Sequence, residues 1–180
     1  MSSKIRVCTE KDAGVLAEIT RKSFQDVADR FGLTPDNAPR HPSNCTVDWI
    51  RKDIEDGVTY FAIENKNHVV GCAALKKANS EVCYLERLAV LPNQRRRGFG
   101  KVLVEHALSE AKLLGTRYVS IGIIAEQTEL KNWYKKLGFV EGESKEFPHL
   151  PFRVTFMSHS IKDTFQQYPQ QDGTGPCHLY

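Results

Sequence analysis

One segment restricts the fold more than any other: LAVLPNQRRRGFGKVLVEHAL, residues 88–108. An apolar, strand-like run is closed by Pro92, which has no N–H to give to a sheet. Arg95, Arg96 and Arg97 follow, then Gly98 and Gly100. Beyond them Leu103, Ala107, Ala111 and Leu114, flanked by Val104 and Leu108, recur with the 3.6-residue period of a helix that ends at Gly115. A strand passing through a basic glycine loop into a long amphipathic helix belongs to a layered α/β domain. The first helical turn leaves N–H groups without intrahelical partners at the positive end of the dipole, which stabilises an anion by about 0.3–1 kcal/mol. Glycines let a ligand approach the backbone, and Arg95 and Arg97 offer charge-assisted donors. The competing reading is a solvated basic run beside a turn. Neither G-x-G-x-x-G nor G-x-x-x-x-G-K-[ST] is present, so a dinucleotide or Walker loop is not indicated.

The rest of the chain extends this pattern. Residues 4–9 are strand-like, and a helix is expected from Asp12 to Phe31, with Thr9 and Asp12 as a capping box and Val15, Leu16, Ile19, Phe24 and Val27 as its apolar stripe. Residues 32–45, GLTPDNAPRHPSNC, carry loop chemistry at a length that suggests a functional role. A short helix capped by Thr46, with Trp49, Ile50 and Ile54 on one side, stops at Gly57. VTYFAI, HVVGCAALKKA and EVCYLERLAVL are separated by NKN and NS, so an antiparallel meander is expected. After the long helix come a buried strand, RYVSIGIIA, a helix around LKNWYKKL closed by Gly138, and a strand pair around FVEG and FRVTFMSH. The expected fold is a single α/β domain over residues 1–162, with a mixed, mostly antiparallel twisted sheet and helices on both faces. Residues 163–180 read as a polar, poorly ordered tail.

Composition narrows the class. With 41% hydrophobic and 26% charged side chains in 180 residues, the chain buries a core without staples. Cys8, Cys45, Cys72, Cys83 and Cys177 are odd in number with no C-x-x-C pair, which favours reduced thiols over a disulfide framework or zinc ribbon. No apolar run approaches 18 residues and the first residues are polar, so a cytoplasmic protein without membrane contact is expected. The net charge of +3 is concentrated only at Arg95–Arg97, which makes a nucleic-acid partner unlike the rest of the pattern. The histidines lack ligand spacing such as H-E-x-x-H, and no metal is expected.

Two motifs in order then carry a resemblance. Val90, Pro92, Arg95, Gly98 and Gly100 match [RQ]-x-x-G-x-[GA] after a strand ending V-x-P, and Tyr134, Gly138 and Phe139 match a later Y-x-x-x-G-F. On these residues the chain resembles the GNAT superfamily of N-acetyltransferases across residues 4–160. The resemblance implies acetyl-CoA as co-substrate, lying where the strand ending at Val90 splays from the next one. Its pantetheine would bond the backbone of Leu88, Ala89 and Val90, and its pyrophosphate would sit on Arg95, Arg96, Arg97, Gly98, Phe99, Gly100 and Lys101. The chain departs from the family in three places. Arg96 stands where many members carry Gly, Gln127 stands where many carry Asn, and YVSIGIIA lacks the glutamate that some members use as a base.

Acetyl transfer to an amine needs a base, a polariser for the carbonyl oxygen and an acid for the departing thiolate. Tyr134 matches the family's catalytic tyrosine and is the expected acid, although in WYKKLGF a tyrosine also reads as core packing. The N–H of Val90 is the expected polariser. Glu86, mid-strand in CYLERLAV, is the charged candidate for the base, on either face; proton loss through ordered water and His41 are the other routes. Trp49 and Trp133 read as core. The implied activity is transfer to a primary amine of a small molecule or protein in a ternary complex. A non-catalytic acyl-CoA sensor and a basic nucleic-acid contact are the competing readings, and a homodimer is left open. A polyamine acceptor would want carboxylates, which Asp36, Asp48, Asp53, Glu55 and Asp56 would supply.

Overall fold

A computed structural model describes residues 3–161; the expected tail at 163–180, with Cys177, lies outside the described residues. The strands are β1 (Ser3–Val7), β2 (Thr59–Asn65), β3 (His68–Lys77), β4 (Val82–Val90), β5 (Tyr118–Ile124), β6 (Val140–Glu146) and β7 (Arg153–Ser160). They form one seven-stranded sheet in the order β1-β2-β3-β4-β5-β7-β6. Neighbours are antiparallel except β4 and β5. The first hairpin turns on Lys66 and Asn67 at φ 51° and 62°, the two left-handed residues that a type I′ turn requires.

The helices are α1 (Ala13–Phe31), α2 (Val47–Glu55), α3 (Phe99–Leu113) and α4 (Thr128–Lys136). Period-2 alternation along β2 sorts them onto two faces. Tyr60 and Ala62 pack with Leu16, Ala17 and Ile50 under α1 and α2. Phe61 and Ile63 pack with Leu103, Val104 and Ala107 of α3, together with Tyr134 of α4. The expected layers are therefore present.

Local chemistry explains the helix starts. The Thr9 N–H donates to Asp12 Oδ2 at 2.8 Å, and a short 3-10 turn at Glu10–Asp12 delays α1 to Ala13, one residue later than expected. Thr46 Oγ1 accepts the Trp49 N–H at 3.2 Å and starts α2. The 32–45 segment is a packed cover against α1 rather than an open loop. Thr34 and Asn37 exchange backbone–side-chain bonds at 2.8 and 3.2 Å, and Asn44 Nδ2 donates to the Ala38 carbonyl at 3.0 Å. Arg21 of α1 donates to the Cys45 carbonyl at 2.7 Å. Ala38, His41 and Pro42 are buried.

Two irregularities set β4 apart from a plain strand. Cys72 pairs with Ala89 and Ala74 with Glu86, so β4 holds one residue more than β3 in that interval. This bulge contains Arg87 at φ 47°, a left-handed conformation that is uncommon for arginine. On the other edge, the parallel ladder runs from Val82–Tyr84 to Tyr118–Ser120, whereas β5 pairs with β7 along its whole length. Beyond Tyr84 the two parallel strands diverge.

Gly71 lets β3 approach the end of β4, because a Cβ there would stand 2.7 Å from the Ala89 carbonyl oxygen. The obstacle is backbone, so Gly71→Ala should destabilise the domain by about 1–3 kcal/mol in equilibrium urea unfolding. An unchanged midpoint would show that the strand end yields freely.

Candidate functional site

Divergence of β4 and β5 opens a cavity of about 520 Å³. One end is lined by Arg96, Gly98, Phe99, Gly100 and Lys101. The middle is apolar, with Leu85, Leu88, Ile121, Ile123, Leu130 and Trp133 around Tyr134. The other end lies between β4, which supplies Glu86 and Arg87, and α1, which supplies Ser23, Phe24, Val27 and Arg30, with Pro42 of the cover.

At the first end, the Val102 N–H bonds back to the Gly98 carbonyl at 3.1 Å, and the amides of Phe99, Gly100 and Lys101 belong to the turn that a helix leaves without intrahelical partners. Amides so placed are the chemistry that an anion site needs. Gly98 sits at φ 86° and Arg96 at φ 62°. Left-handed geometry at a side-chain-bearing residue costs about 1–2 kcal/mol, which gives Arg96 a local cost that glycine would avoid. Arg95 is engaged elsewhere: it donates to Asp26 Oδ2 at 2.5 Å, to the Ser23 carbonyl at 2.5 Å and, through Nε, to the Val90 carbonyl at 3.2 Å. Its guanidinium ties the loop to α1 and β4. Arg97 is exposed, donates to Gln94 at 3.1 Å and does not line the cavity. Arg95, Arg96 and Lys101 line the cavity at this end, and of these Arg95 has its donors engaged by α1 and β4.

The strand edge has its own polarity. The Leu91 N–H donates to the Val70 carbonyl at 3.0 Å, so alternation turns the N–H and C=O of Val90 to the opposite edge, into the gap. The Arg95 bond to the Val90 carbonyl fits that direction. Tyr134 is 5% exposed, stacks edge-on against Trp133 at 4.9 Å and Phe139 at 5.2 Å, and lines the same gap. Packing and cavity lining coexist in this residue. Burial raises its phenol above the ordinary value, so it holds its proton at neutral pH.

Glu86 pairs with Ala74, whose side chain belongs to the core under α1 and α2, and this assigns its face. It is 7% exposed, and its Oε1 is buried with no hydrogen-bond partner. Burial pushes its carboxyl up to about 7, against a smaller opposing pull from Lys76. The adjacent cation does not neutralise it. Arg87 Nη1 contacts Asp53 and the Tyr60 hydroxyl, which itself donates to Asp53 at 2.6 Å.

Several expectations change here. His41 is neither a surface residue nor a base in the cavity: it is 1% exposed, its Nδ1 accepts the Ser43 N–H at 3.3 Å, and burial lowers its pKa to about 4. Trp133 lines the cavity as well as packing, while Trp49 is half-buried beneath Arg40. None of the five carboxylates named for a polyamine lines the cavity. Asp48 pairs with Arg51, Glu55 and Asp56 pair with Lys52, and Asp53 holds Arg87. Cys8, Cys45, Cys72 and Cys83 are buried free thiols outside the lining; burial pushes Cys8 up to about 11 and Cys72 up to about 12. Among the described residues no group of His, Cys, Asp and Glu is placed to hold a metal ion, and no helix is long and apolar enough to cross a membrane. Arg87 and Ser23 escaped the sequence reading. Two adjacent charges inside an apolar strand are the signal that marked the bulge.

Comparisons with known proteins meet the same geometry. A family model described as the acetyltransferase (GNAT) family matches residues 21–139. The uncharacterized N-acetyltransferase YjgM of Escherichia coli is 26% identical over 77% of this chain and 82% of its own length. The uncharacterized N-acetyltransferase MJ1207 of Methanocaldococcus jannaschii is 33% identical over 53% of this chain, and the match spans only 44% of that protein. Among solved structures, the PaiA N-acetyltransferase of Thermoplasma acidophilum in complex with coenzyme A shares the fold at a TM-score of 0.73 and 18% identity, covering 89% of this chain and 99% of that one.

Because Glu86 has a raised folded pKa, its neutral form contributes stability that is complete below the unfolded value near 4.5 and is lost as pH rises through about 7. Glu86→Gln should therefore raise stability over the native protein more at pH 8 than at pH 5, by up to about 3 kcal/mol, read from urea unfolding at both pH values. An equal change at both would show that burial does not hold this carboxyl neutral.

Proposed function

Since the chain belongs to the acetyltransferase (GNAT) family, whose members are acetyl-CoA-dependent acyltransferases, we propose that it moves an acetyl group from acetyl-CoA to a primary amine of a small molecule or protein, by direct transfer in a ternary complex. The observation that carries this reading is the continuity of one cavity from the amide-rich start of α3, past Tyr134, to Glu86. The α3 amides with Arg96 and Lys101 hold the pyrophosphate, and the β4 edge at Leu88, Ala89 and Val90 receives the pantetheine as a further strand would be received.

Glu86 takes a proton from the ammonium form of the acceptor, directly or through water, and leaves a neutral amine. The amine nitrogen bonds to the thioester carbonyl carbon while the Val90 N–H stabilises the charge growing on the carbonyl oxygen. As the carbon–sulfur bond breaks, the Tyr134 hydroxyl supplies the proton for the thiolate, the nitrogen gives up its second proton through water to restore that hydroxyl, and the products are the N-acetylated amine, coenzyme A and the one proton that Glu86 returns to solvent. Buried thiols outside the cavity give no support to an acyl-cysteine route.

Acetyl-CoA at 100 times its Kd should stabilise the protein by about 2.7 kcal/mol in thermal unfolding, and absence of a shift would remove the cofactor assignment. Tyr134→Phe should lower kcat on the order of 10²–10⁴-fold while acetyl-CoA affinity stays nearly intact; unchanged turnover would take Tyr134 out of the chemistry. The kcat/KM profile should rise through about pH 7 as Glu86 ionises, and that limb should vanish in Glu86→Gln.

A further inference from the structure

Resting on the transfer reading above, we propose that the acceptor is an amino-carboxylate, a small molecule whose primary amine lies a few bonds from a carboxylate, with Glu86 receiving the amine and Arg87, helped by Arg30, receiving the carboxylate. The β4 bulge is the first observation. It turns two consecutive side chains of opposite charge to the sheet face covered by α1 and α2, and both line the cavity. Consecutive Cα atoms are about 3.8 Å apart, so the two side chains leave the strand side by side.

Adjacent opposite charges would ordinarily neutralise each other, and here they do not. Arg87 is held through Nη1 by Asp53 and Tyr60, which orients the guanidinium and keeps it from folding onto Glu86. Its Nε–Nη2 edge remains, with the parallel N–H geometry that binds a carboxylate bidentately. Two buried oxygens at this end, Glu86 Oε1 and Ser23 Oγ, have no hydrogen-bond partner and so call for a polar ligand. Other charges set the sign. Asp26 is paired with Arg95, Arg30 of α1 lines the cavity with its guanidinium over the Phe31 ring at 5.2 Å, and Glu129 of α4 is the remaining lining carboxylate. A polyamine would place its second ammonium against Arg30 and Arg87, and a simple alkylamine would leave the Arg87 edge without an acceptor.

The test is steady-state thiol release from acetyl-CoA with matched acceptors: a panel of amino acids, each beside its primary carboxamide and its decarboxylated amine, together with spermidine and a lysine peptide. The expected result is a kcat/KM at least about 10-fold higher for the best amino acid than for its carboxamide. Arg87→Gln should bring that ratio toward one while the acetyl-CoA thermal shift persists, and Arg30→Gln, a surface change that leaves the Asp53 contact in place, should lower it in part. Equal or better use of carboxamides, spermidine or the peptide overturns the proposal and leaves the transferase reading standing. Acetyl-CoA binding with no acceptor acetylated overturns both.

Discussion

The structure depends on a refusal to pair. Two neighbouring parallel strands in the middle of a sheet would ordinarily hydrogen-bond to their ends, because unpaired N–H and C=O groups inside a protein are costly. Here β4 and β5 share a ladder only up to Tyr84 and Ser120, and β5 is held away by its full antiparallel pairing with β7. The exposed β4 edge is a row of oriented donors and acceptors beside an apolar wall. Ligands of α/β sheets gather at the carboxyl ends of strands, and α3 adds its positive end at that same point. A cofactor with an extended amide-bearing arm and a phosphate group uses both features without further construction.

Arg95 shows how a single side chain joins these parts. A cation beside a phosphate-binding loop is ordinarily read as a ligand, yet its donors reach α1 and the last carbonyl of β4. The exposed Asp26 contact alone would be weak, but carbonyl bonds to two different elements give the guanidinium fixed geometry. Charge is handled similarly on the other side of the strand, where Asp53 and Tyr60 restrain Arg87 and leave Glu86 with a raised proton affinity.

The architecture is legible in the sequence because each element carries its own period and punctuation: the α3 stripe, the NKN turn, and the Pro92 and Gly98 breaks all act locally. The glycine loop before α3 is legible for the same reason. The acceptor side is not, since it depends on register. Whether Glu86 faces one layer or the other turns on a bulge, and a one-residue slip exchanges the faces of a strand. His41 defeats a sequence reading because its burial is made by residues far along the chain, notably Phe24 of α1. The carboxylates around α2 look like a site only while their partners Lys52, Arg51 and Arg87 are out of view.

The Arg95 tie has one more implication. It fastens the loop before α3 to α1 and to the end of β4, so the two ends of the cavity are mechanically joined. Whatever free energy one occupant gains or loses by moving that loop is felt by the other through α1, and thermodynamic reciprocity makes the exchange equal in both directions. A single guanidinium that touches the backbone of both walls is therefore where occupancy of one end of the cavity is felt at the other.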